Sequence, residues 1–314
     1  MKSYYPLIEE IHALKQEKNA VILVHNYQRP EIYEVADFIG DSLELSKKAR
    51  ETEADTIVFA GVHFMAETAK ILNPEKTVLL PSLQAGCSLA DFATAEKLKA
   101  VKAQYPDAAV VSYVNTTAEV KALSDACCTS MNAVKVVNAL PQKRVIFLPD
   151  KHLGSYVASQ TDKEIILWDG YCYVHNDLKP DVLQQARQQH PGAKIIAHPE
   201  CNEGIRSMAD HICGTGGMAT YAKENAAQEF IVVTECGMRE KLQQDVPDKK
   251  FFSFCKVCFY MKFITLENIR DALVNNKHII EIPEEIRIKA EQALIRMFEL
   301  TNTPLEKPLL AVVR

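Results

Sequence analysis

The chain has 314 residues, of which 47% are hydrophobic and 25% charged, as in an ordinary globular protein of the soluble class. Its net charge of −5, without a basic stripe, argues against nucleic acid as the main partner. No apolar run approaches the ~18–20 residues of a membrane span, and the N-terminus lacks the apolar core of a signal peptide, so we expect no membrane partner and a cytoplasmic location.

Strand and helix patterns alternate along the chain in three similar rounds. The first round has a helix at 7–18, a strand at 20–27, helices at 30–38 and 42–53, a strand at 56–60, a helix at 64–72 and a strand at 77–81. The second has a helix at 91–104, a strand at 109–115, helices at 117–125 and 130–140, and strands at 145–148 and 164–167. The third has a helix at 177–190, a strand at 193–198, helices at 203–212 and 216–227, and strands at 230–233 and 251–254. Two helices at 265–275 and 283–300 finish the chain. This alternation predicts parallel sheets with helices on their faces.

Three of the nine cysteines follow predicted strand ends at steps of 85 and 86 residues: Cys87, Cys172 and Cys258. The strand before Cys172, residues 164–167, is an apolar run of the kind that makes a buried strand. Equal steps suggest three copies of one unit that converge on a centre. Four other cysteines are interpreted as small buried hydrophobic residues: Cys127, Cys201, Cys213 and Cys236.

Polar side chains recur at the same place in each round. After the first strand, polar residues at i and i+2 share one face of the strand end: His25 and Tyr27, Tyr113 and Asn115, His198 and Glu200. A hydroxyl lies 17 residues after the first member of each pair: Ser42, Ser130 and Thr215. Each hydroxyl is predicted to open a helix, where free N–H groups favour an anion.

Ligand sites of parallel sheets lie off the carboxyl ends of the strands. Three such ends meeting on a pseudo-threefold axis predict one central pocket, lined by the nine polar residues just given. Taken singly, a strand-end His is more often structural and a Ser before a helix is usually an N-cap. Agreement of the spacing in three rounds favours the shared pocket.

Three thiols on separate loops beside a polar pocket favour a metal centre. Zinc sites usually draw on close cysteine pairs, and the one such pair here, Cys255 and Cys258, has no second pair. An iron–sulfur cube normally takes four cysteines, so three would leave one iron open to substrate as a Lewis acid. Three reduced structural thiols remain the alternative.

The residues resemble a known family over essentially the whole chain: the type A, iron–sulfur quinolinate synthase of de novo NAD biosynthesis. The matching segments are His25-Asn26-Tyr27-Gln28, Gly40-Asp41-Ser42, residues 61–69, Gly86-Cys87, Tyr113-Val114-Asn115-Thr116, Cys128-Thr129-Ser130, residues 170–175, His198-Pro199-Glu200-Cys201, and residues 214–218, 258–262 and 265–267.

The resemblance implies three similar three-layer αβα domains in a pseudo-threefold arrangement. The domains would span residues 1–86, 87–172 and 173–264, with residues 265–314 packing back on the first. They would surround a [4Fe–4S] cluster held by Cys87, Cys172 and Cys258. The implied reaction condenses iminoaspartate with dihydroxyacetone phosphate to quinolinate, phosphate and water, with L-aspartate oxidase as a possible functional partner. A redox disulfide would be possible between Cys255 and Cys258.

The residue types suit this chemistry. Glu200, beside His198, is the best general base or acid, and Tyr27 can relay a proton. Tyr113 and Asn115 can position substrate carbonyls, while His175 falls near the cluster and is expected to order the intermediate. The expected anion-binding groups are Ser42, Ser130, Thr215, His25 and His198.

Two rival functions share parts of this site. Another iron–sulfur hydro-lyase would use the open iron and the base without needing room for a phosphate. A non-enzymatic iron–sulfur redox sensor would use the cluster alone, and would have no need for nine polar side chains around a closed pocket.

Overall fold

The computed structural model describes residues 4–303. Part of the segment expected to pack back on the first unit, residues 304–314, lies outside the described residues. The first sheet contains β1 (Ala20–His25), β2 (Phe38–Gly40), β3 (Thr56–Ala60) and β4 (Thr77–Leu79). The second contains β5 (Ala109–Tyr113), β6 (Ala126–Cys128), β7 (Arg144–Leu148) and β8 (Glu164–Leu167). The third contains β9 (Lys194–Ala197), β10 (His211–Ile212), β11 (Glu229–Glu235) and β12 (Lys250–Lys256).

Helices connect the strands. Those around the first sheet are α1 (Tyr5–Glu17), α2 (Pro30–Tyr33), α3 (Ser42–Glu51) and α4 (His63–Leu72). Those around the second are α5 (Ala95–Gln104), α6 (Ala118–Lys121), α7 (Ala133–Ala139) and α8 (Lys151–Ala158), with a 3₁₀ turn at Ala90–Phe92. Those around the third are α9 (Tyr173–Asn176), α10 (Pro180–Gln189), α11 (Glu203–Arg206), α12 (Thr215–Glu224) and α13 (Gly237–Asp245). The chain continues through α14 (Phe259–Lys262), α15 (Leu266–Asn275) and α16 (Glu284–Leu300).

The three sheets have the same topology. Each has four parallel strands in the order second, first, third, fourth. The first and third strands are interior and covered by helices on both faces, which explains their continuous apolar runs. The predicted α/β class with three similar αβα units is confirmed. Because all strands in a sheet are parallel, the site residues that follow them leave from one edge.

Some predicted elements were wrong. The short strands β2, β6 and β10 were missed, because residue 38 and residues 211–212 were assigned to the ends of helices and 126–128 to no element. Strand β8 was expected to be buried, but it pairs only with β7 at a sheet edge and its end residues are exposed. Helices α8 and α13, each of which follows the third strand of its sheet, were also not predicted.

The C-terminal helices contact two of the sheet units. Helix α15 packs on α1 and β3, whereas α16 packs on α6, α7 and β6 as well as on α4. One hydrophobic core runs through the first and second sheets and these helices, while the third sheet has separate cores on its two faces. The division of the chain at residues 86, 172 and 264 stays a prediction. Within residues 4–303, no helix has the length and apolar character needed to cross a membrane.

Candidate active site

A cavity lies where the carboxyl edges of the three sheets meet. It contains about 760 Å³ of space not filled by atoms, part of it open to solvent. All of the predicted site residues line it: His25, Tyr27, Ser42, Cys87, Tyr113, Asn115, Ser130, Cys172, His175, His198, Glu200, Thr215 and Cys258. Residues from all three rounds of the sequence thus face one cavity, as the repeat predicted. The chemical role of each stays a prediction.

Two histidines are held in the same way at equivalent strand ends. His25 ends β1, and its Nδ1 accepts a hydrogen bond from the N–H of Tyr27 (3.1 Å). His198 follows β9, and its Nδ1 accepts from the N–H of Glu200 (3.3 Å). Burial lowers the pKa of both rings to about 3, so both are neutral at pH 7. A neutral ring that accepts at Nδ1 carries its proton at Nε2, which makes both residues hydrogen-bond donors.

Glu200 is the centre of a buried polar chain. Its Oε1 accepts from the Tyr113 hydroxyl (2.6 Å), and its Oε2 is 2.9 Å from Nδ1 of His175. Nε2 of His175 is 2.8 Å from the Thr234 hydroxyl, which is 2.7 Å from the hydroxyl of Tyr27. Sequence reasoning missed Thr234, which lies one residue past the predicted end of its strand. The chain joins both site tyrosines to a single carboxylate.

The charge state of this chain follows from its contacts. Burial alone would raise the pKa of Glu200. The adjoining His175 and His198 and the hydrogen bonds from His175 and Tyr113 outweigh that effect, so the net pKa falls to about 2. Burial and the charge of Glu200 raise the pKa of Tyr27 and Tyr113 well above the ordinary value. At neutral pH the cavity therefore holds an ionised carboxylate between two protonated phenols.

The three predicted helix-start hydroxyls are not equivalent. Ser42 is the first residue of α3, but Asp41 already accepts hydrogen bonds from the N–H groups of Leu43 and Glu44 (both 2.9 Å). Thr215 opens α12, whose capping residue Gly214 contributes no side chain. The third hydroxyl, Ser130, lies in a turn three residues before α7. The prediction that each hydroxyl opens a helix is therefore right for Ser42 and Thr215 and wrong for Ser130, and Asp41 occupies two of the N–H groups expected to be free at Ser42.

The start of α12 packs closely against Ser130 and against Asp41, the residue before Ser42. A Cβ atom at Gly214 would lie 2.7 Å from Oγ of Ser130, and one at Gly216 would lie 2.6 Å from Oδ2 of Asp41. The N–H of Gly216 also hydrogen-bonds to Asp41. Glycine permits this approach because it has no Cβ. One wall of the cavity is thereby closed.

The three predicted cysteine ligands line the cavity with free thiols. Cys87 follows β4, while Cys172 and Cys258 cap the short helices α9 and α14. Carboxylates hold the backbone at two of these cysteines. Oδ2 of Asp150 accepts from the N–H of Cys172 (3.1 Å), and Oε1 of Glu235 accepts from the N–H of Cys258 (2.9 Å). Burial raises the pKa of Cys87 to about 12 and raises the pKa of the other two thiols. Thiolates at these positions need a nearby positive charge such as a metal.

The spacing of the donors distinguishes two kinds of metal centre. Within residues 4–303, one group of three potential ligands has all its ligand atoms within 4.8 Å of one another: Cys172, His175 and Glu200. This is a possible metal-binding group. The three thiols do not meet that limit, whereas ligands on one zinc-like ion at about 2.3 Å can be separated by at most ~4.6 Å. The thiols therefore fit a larger metal group better than a single ion.

Comparison with known proteins identifies the family. The profile of the family described as "Quinolinate synthetase A protein" matches residues 9–299. A quinolinate synthase of Geobacter metallireducens is 51% identical over 294 residues, covering 93% of this chain and 97% of the relative. One of Thermodesulfovibrio yellowstonii is 51% identical over 298 residues, 94% of this chain and 98% of the relative. The chain belongs to the quinolinate synthase family. The resemblance seen in the sequence motifs is confirmed.

The disulfide of this chain joins a different pair of cysteines from the one that the sequence left possible. Cys255 is joined to Cys236 in a disulfide, and Cys258 is free. The pairing of β11 with β12 explains this, because Cys255 lies opposite Thr234 in the parallel register and so falls beside Cys236. A Cys255–Cys258 disulfide, which the sequence left open, is therefore not formed, and the interpretation of Cys236 as a plain buried thiol is wrong.

Proposed function

We propose that this chain is a quinolinate synthase, which condenses iminoaspartate with dihydroxyacetone phosphate to give quinolinate, phosphate and water. The observation that carries the proposal is the convergence of three cysteines and the Glu200 hydrogen-bond chain on one cavity, in a member of this family. Iminoaspartate would be supplied by a partner such as L-aspartate oxidase. A cytoplasmic location stays a prediction.

The metal group that fits the thiols is a [4Fe–4S] cluster held by Cys87, Cys172 and Cys258. Their convergence on the cavity from three sheet units, outside the 4.8 Å limit met by the Cys172, His175 and Glu200 group, supports this assignment. When bound, such a cluster supplies an iron with an open position that acts as a Lewis acid. Cys172 belongs both to this set and to the group with His175 and Glu200, so those two side chains would lie beside a cluster bound there.

Substrate binding is assigned to donors and acceptors that line the cavity, among them Thr215, whose hydroxyl accepts from Nδ2 of Asn26 (3.3 Å) and keeps its own proton free to donate. The Nε2–H groups of His25 and His198 and the hydroxyls of Ser42, Ser130 and Thr215 can donate to carboxylates and phosphate. Oδ1 of Asn115 is buried without a hydrogen-bond partner. A buried orphaned acceptor is costly unless a ligand satisfies it, so we assign it to an N–H or O–H group of the substrate.

Proton transfer is assigned to Glu200. Being ionised and already hydrogen-bonded, it can take a proton from a substrate carbon or hydroxyl without leaving its position. The contacts through His175 and Thr234 connect it with the hydroxyl of Tyr27. That connection gives the proton a route across the cavity to a second side chain, as the two dehydrations require.

The test is turnover under anaerobic conditions. Iron–sulfur-loaded protein should convert freshly generated iminoaspartate and dihydroxyacetone phosphate to quinolinate, with one phosphate released per quinolinate. A hydro-lyase acting on a simple hydroxy acid would release no phosphate, and a redox sensor would turn over neither substrate. Absence of both products from loaded wild-type protein would overturn the proposal.

A substitution pair tests the anion-binding role of Ser42. Ser42→Ala is expected to weaken quinolinate binding by about 1.5–3 kcal/mol, the worth of a hydrogen bond to a charged group. It should spare stability, because the cap of α3 is Asp41. Asp41→Ala should instead lower the free energy of unfolding by ~1 kcal/mol through the lost cap. Calorimetric titration and thermal unfolding of both variants check this.

The same measurements on Ser130→Ala and Thr215→Ala extend the test to the other two hydroxyls. Neither residue is a side-chain cap of its helix, so both variants should also lose affinity and keep their stability. Lost stability with normal quinolinate binding in all three hydroxyl variants would exclude the shared anion site.

A further inference from the structure

A long polar side chain recurs at one further position of the repeat. The turns that follow β1, β5 and β9 and carry the site residues each lead into a one-turn helix, α2, α6 or α11. The last residue of each of these helices lies eight positions after the first site residue of its turn. These three last residues are Tyr33, Lys121 and Arg206.

Each of these side chains reaches back to the backbone of its own site turn. The hydroxyl of Tyr33 donates to the carbonyl of Asn26 at 2.8 Å. The ammonium of Lys121 donates to the carbonyl of Thr116. Nη1 of Arg206 donates to the carbonyls of Pro199 (3.2 Å) and Cys201 (2.9 Å), which flank Glu200. In each turn, the accepting carbonyl belongs to a residue directly beside the second member of the site pair: Tyr27, Asn115 or Glu200.

Two of these side chains, Lys121 and Arg206, also contact the neighbouring sheet unit. Lys121 lies over the ring of Phe64 at 5.7 Å and beside Glu67, both on α4 of the first unit. Arg206 donates to the carbonyl of His152 (2.5 Å) and to the hydroxyl of Ser155 (3.3 Å), both on α8 of the second unit.

The helix that ends at Tyr33 makes the corresponding contact for the first unit. This helix, α2, packs on α13 of the third unit. Helices α4, α8 and α13 each follow the third strand of their own sheet, so the three contacts are equivalent. Lys121 and Arg206 thus tie their site turns to the unit beside them, and Tyr33 holds its turn from a helix that packs on the neighbouring unit.

Burial shows that these contacts are built into the interior. Lys121 is fully buried, and Tyr33 and Arg206 are each 8% exposed. A buried cation is tolerated only when its donors are satisfied, and an irregular turn can keep its carbonyls away from water only if they are paired. The side chains and the turns therefore satisfy each other.

We infer that Tyr33, Lys121 and Arg206 are equivalent positioning residues for the proposed reaction, each of which holds one site turn in register with the neighbouring unit. The inference rests on the proposed function, because its readouts are turnover and product binding. None of the three lines the cavity, so they act through the turns. Their loss should misplace Glu200, Tyr113 or Tyr27 rather than remove a reacting group.

The chain contains a matched control for Lys121. Lys249 is also buried, precedes the fourth strand of its sheet, and donates to the carbonyls of Ala222 and Asn225 near the end of α12. It therefore has the same chemistry at the opposite edge of a sheet, away from the cavity. A purely structural buried lysine should behave like Lys249 in every assay.

The experiment compares Lys121→Met with Lys249→Met in anaerobically prepared, iron–sulfur-loaded protein. Both should lose thermal stability and keep their iron. Lys121→Met should lower kcat/KM by about 100-fold, the size expected for a displaced active-site group, mainly through kcat. It should also weaken quinolinate binding about tenfold, whereas Lys249→Met should change both quantities by less than about threefold, because its contacts are remote.

Two further variants keep the test decisive if Lys121→Met does not fold. Tyr33→Phe removes one hydroxyl and should lower kcat with little loss of stability. Arg206→Lys, which keeps a charged donor, should retain more activity than Arg206→Met. Folded variants that lose no more kcat or quinolinate affinity than Lys249→Met would overturn the inference. Inactive loaded wild-type protein would instead overturn the proposed function, which distinguishes the two failures.

Discussion

Replacement of Cys87, Cys172 or Cys258 by Ala is expected to abolish the iron–sulfur cluster and with it quinolinate formation. Wild-type protein purified without oxygen should contain about four irons per chain, as a cube with three protein thiolates requires. Each of the three thiols faces the cavity from a different sheet unit, and Cys255, three residues before Cys258, is held in a disulfide with Cys236. Iron and sulfide analysis with an anaerobic absorption spectrum measures the loss.

The matched control is Cys127→Ala. Cys127 is a fully buried, free thiol in β6 that does not line the cavity, so its variant should keep iron and activity.

The pattern among the ligand variants also tests the kind of metal centre. A single ion held by Cys172, His175 and Glu200 would be lost in Cys172→Ala but kept in Cys87→Ala and Cys258→Ala. Full iron in Cys258→Ala would refute the cluster assignment.

The position of the site could be predicted because the repeat constrains it in three places at once. A single pair such as His25 and Tyr27 has little meaning, but the same 17-residue step from three strand ends is hard to produce by chance. Parallel strands then direct all three pairs to one edge. The structure brings these side chains into one cavity for the same reason.

The elements that were missed have weak local signals. Strands β2, β6 and β10 contain only two or three residues each, too few to show a period-two pattern. They form because β1, β5 and β9 present a free edge to them, which is a tertiary effect. The Cys236–Cys255 disulfide likewise depends on the register between β11 and β12. Neither feature can be obtained from spacing along the chain.

Two of the missed features did have a readable signal. Asp41 and Glu44 have the spacing of a capping box, which marks Asp41 rather than Ser42 as the cap of α3. Thr234 is a β-branched residue that continues the run of β11 by one position beyond its predicted end, which would have placed its hydroxyl at the sheet edge. Both errors came from treating the repeat as more regular than it is.

Glu200→Gln is expected to lower turnover by about 10²–10⁴-fold, the usual worth of general acid–base catalysis. Glutamine keeps the shape of the side chain but cannot take a proton. Glu200 now accepts hydrogen bonds from Tyr113 and from His175, one at each oxygen. An amide can accept at only one of these positions, so the variant also turns an N–H group towards one of the two donors.

The measurement that decides the role of Glu200 is kcat at unchanged iron content. Glu203→Gln is the control, because Glu203 is an exposed carboxylate three residues along the same segment and should keep wild-type turnover. A structural role for Glu200 would appear as lost thermal stability or lost iron in step with lost kcat. A catalytic role lowers kcat while the cluster spectrum is retained. If Glu200→Gln keeps nearly full activity, the assignment of proton transfer to Glu200 is refuted.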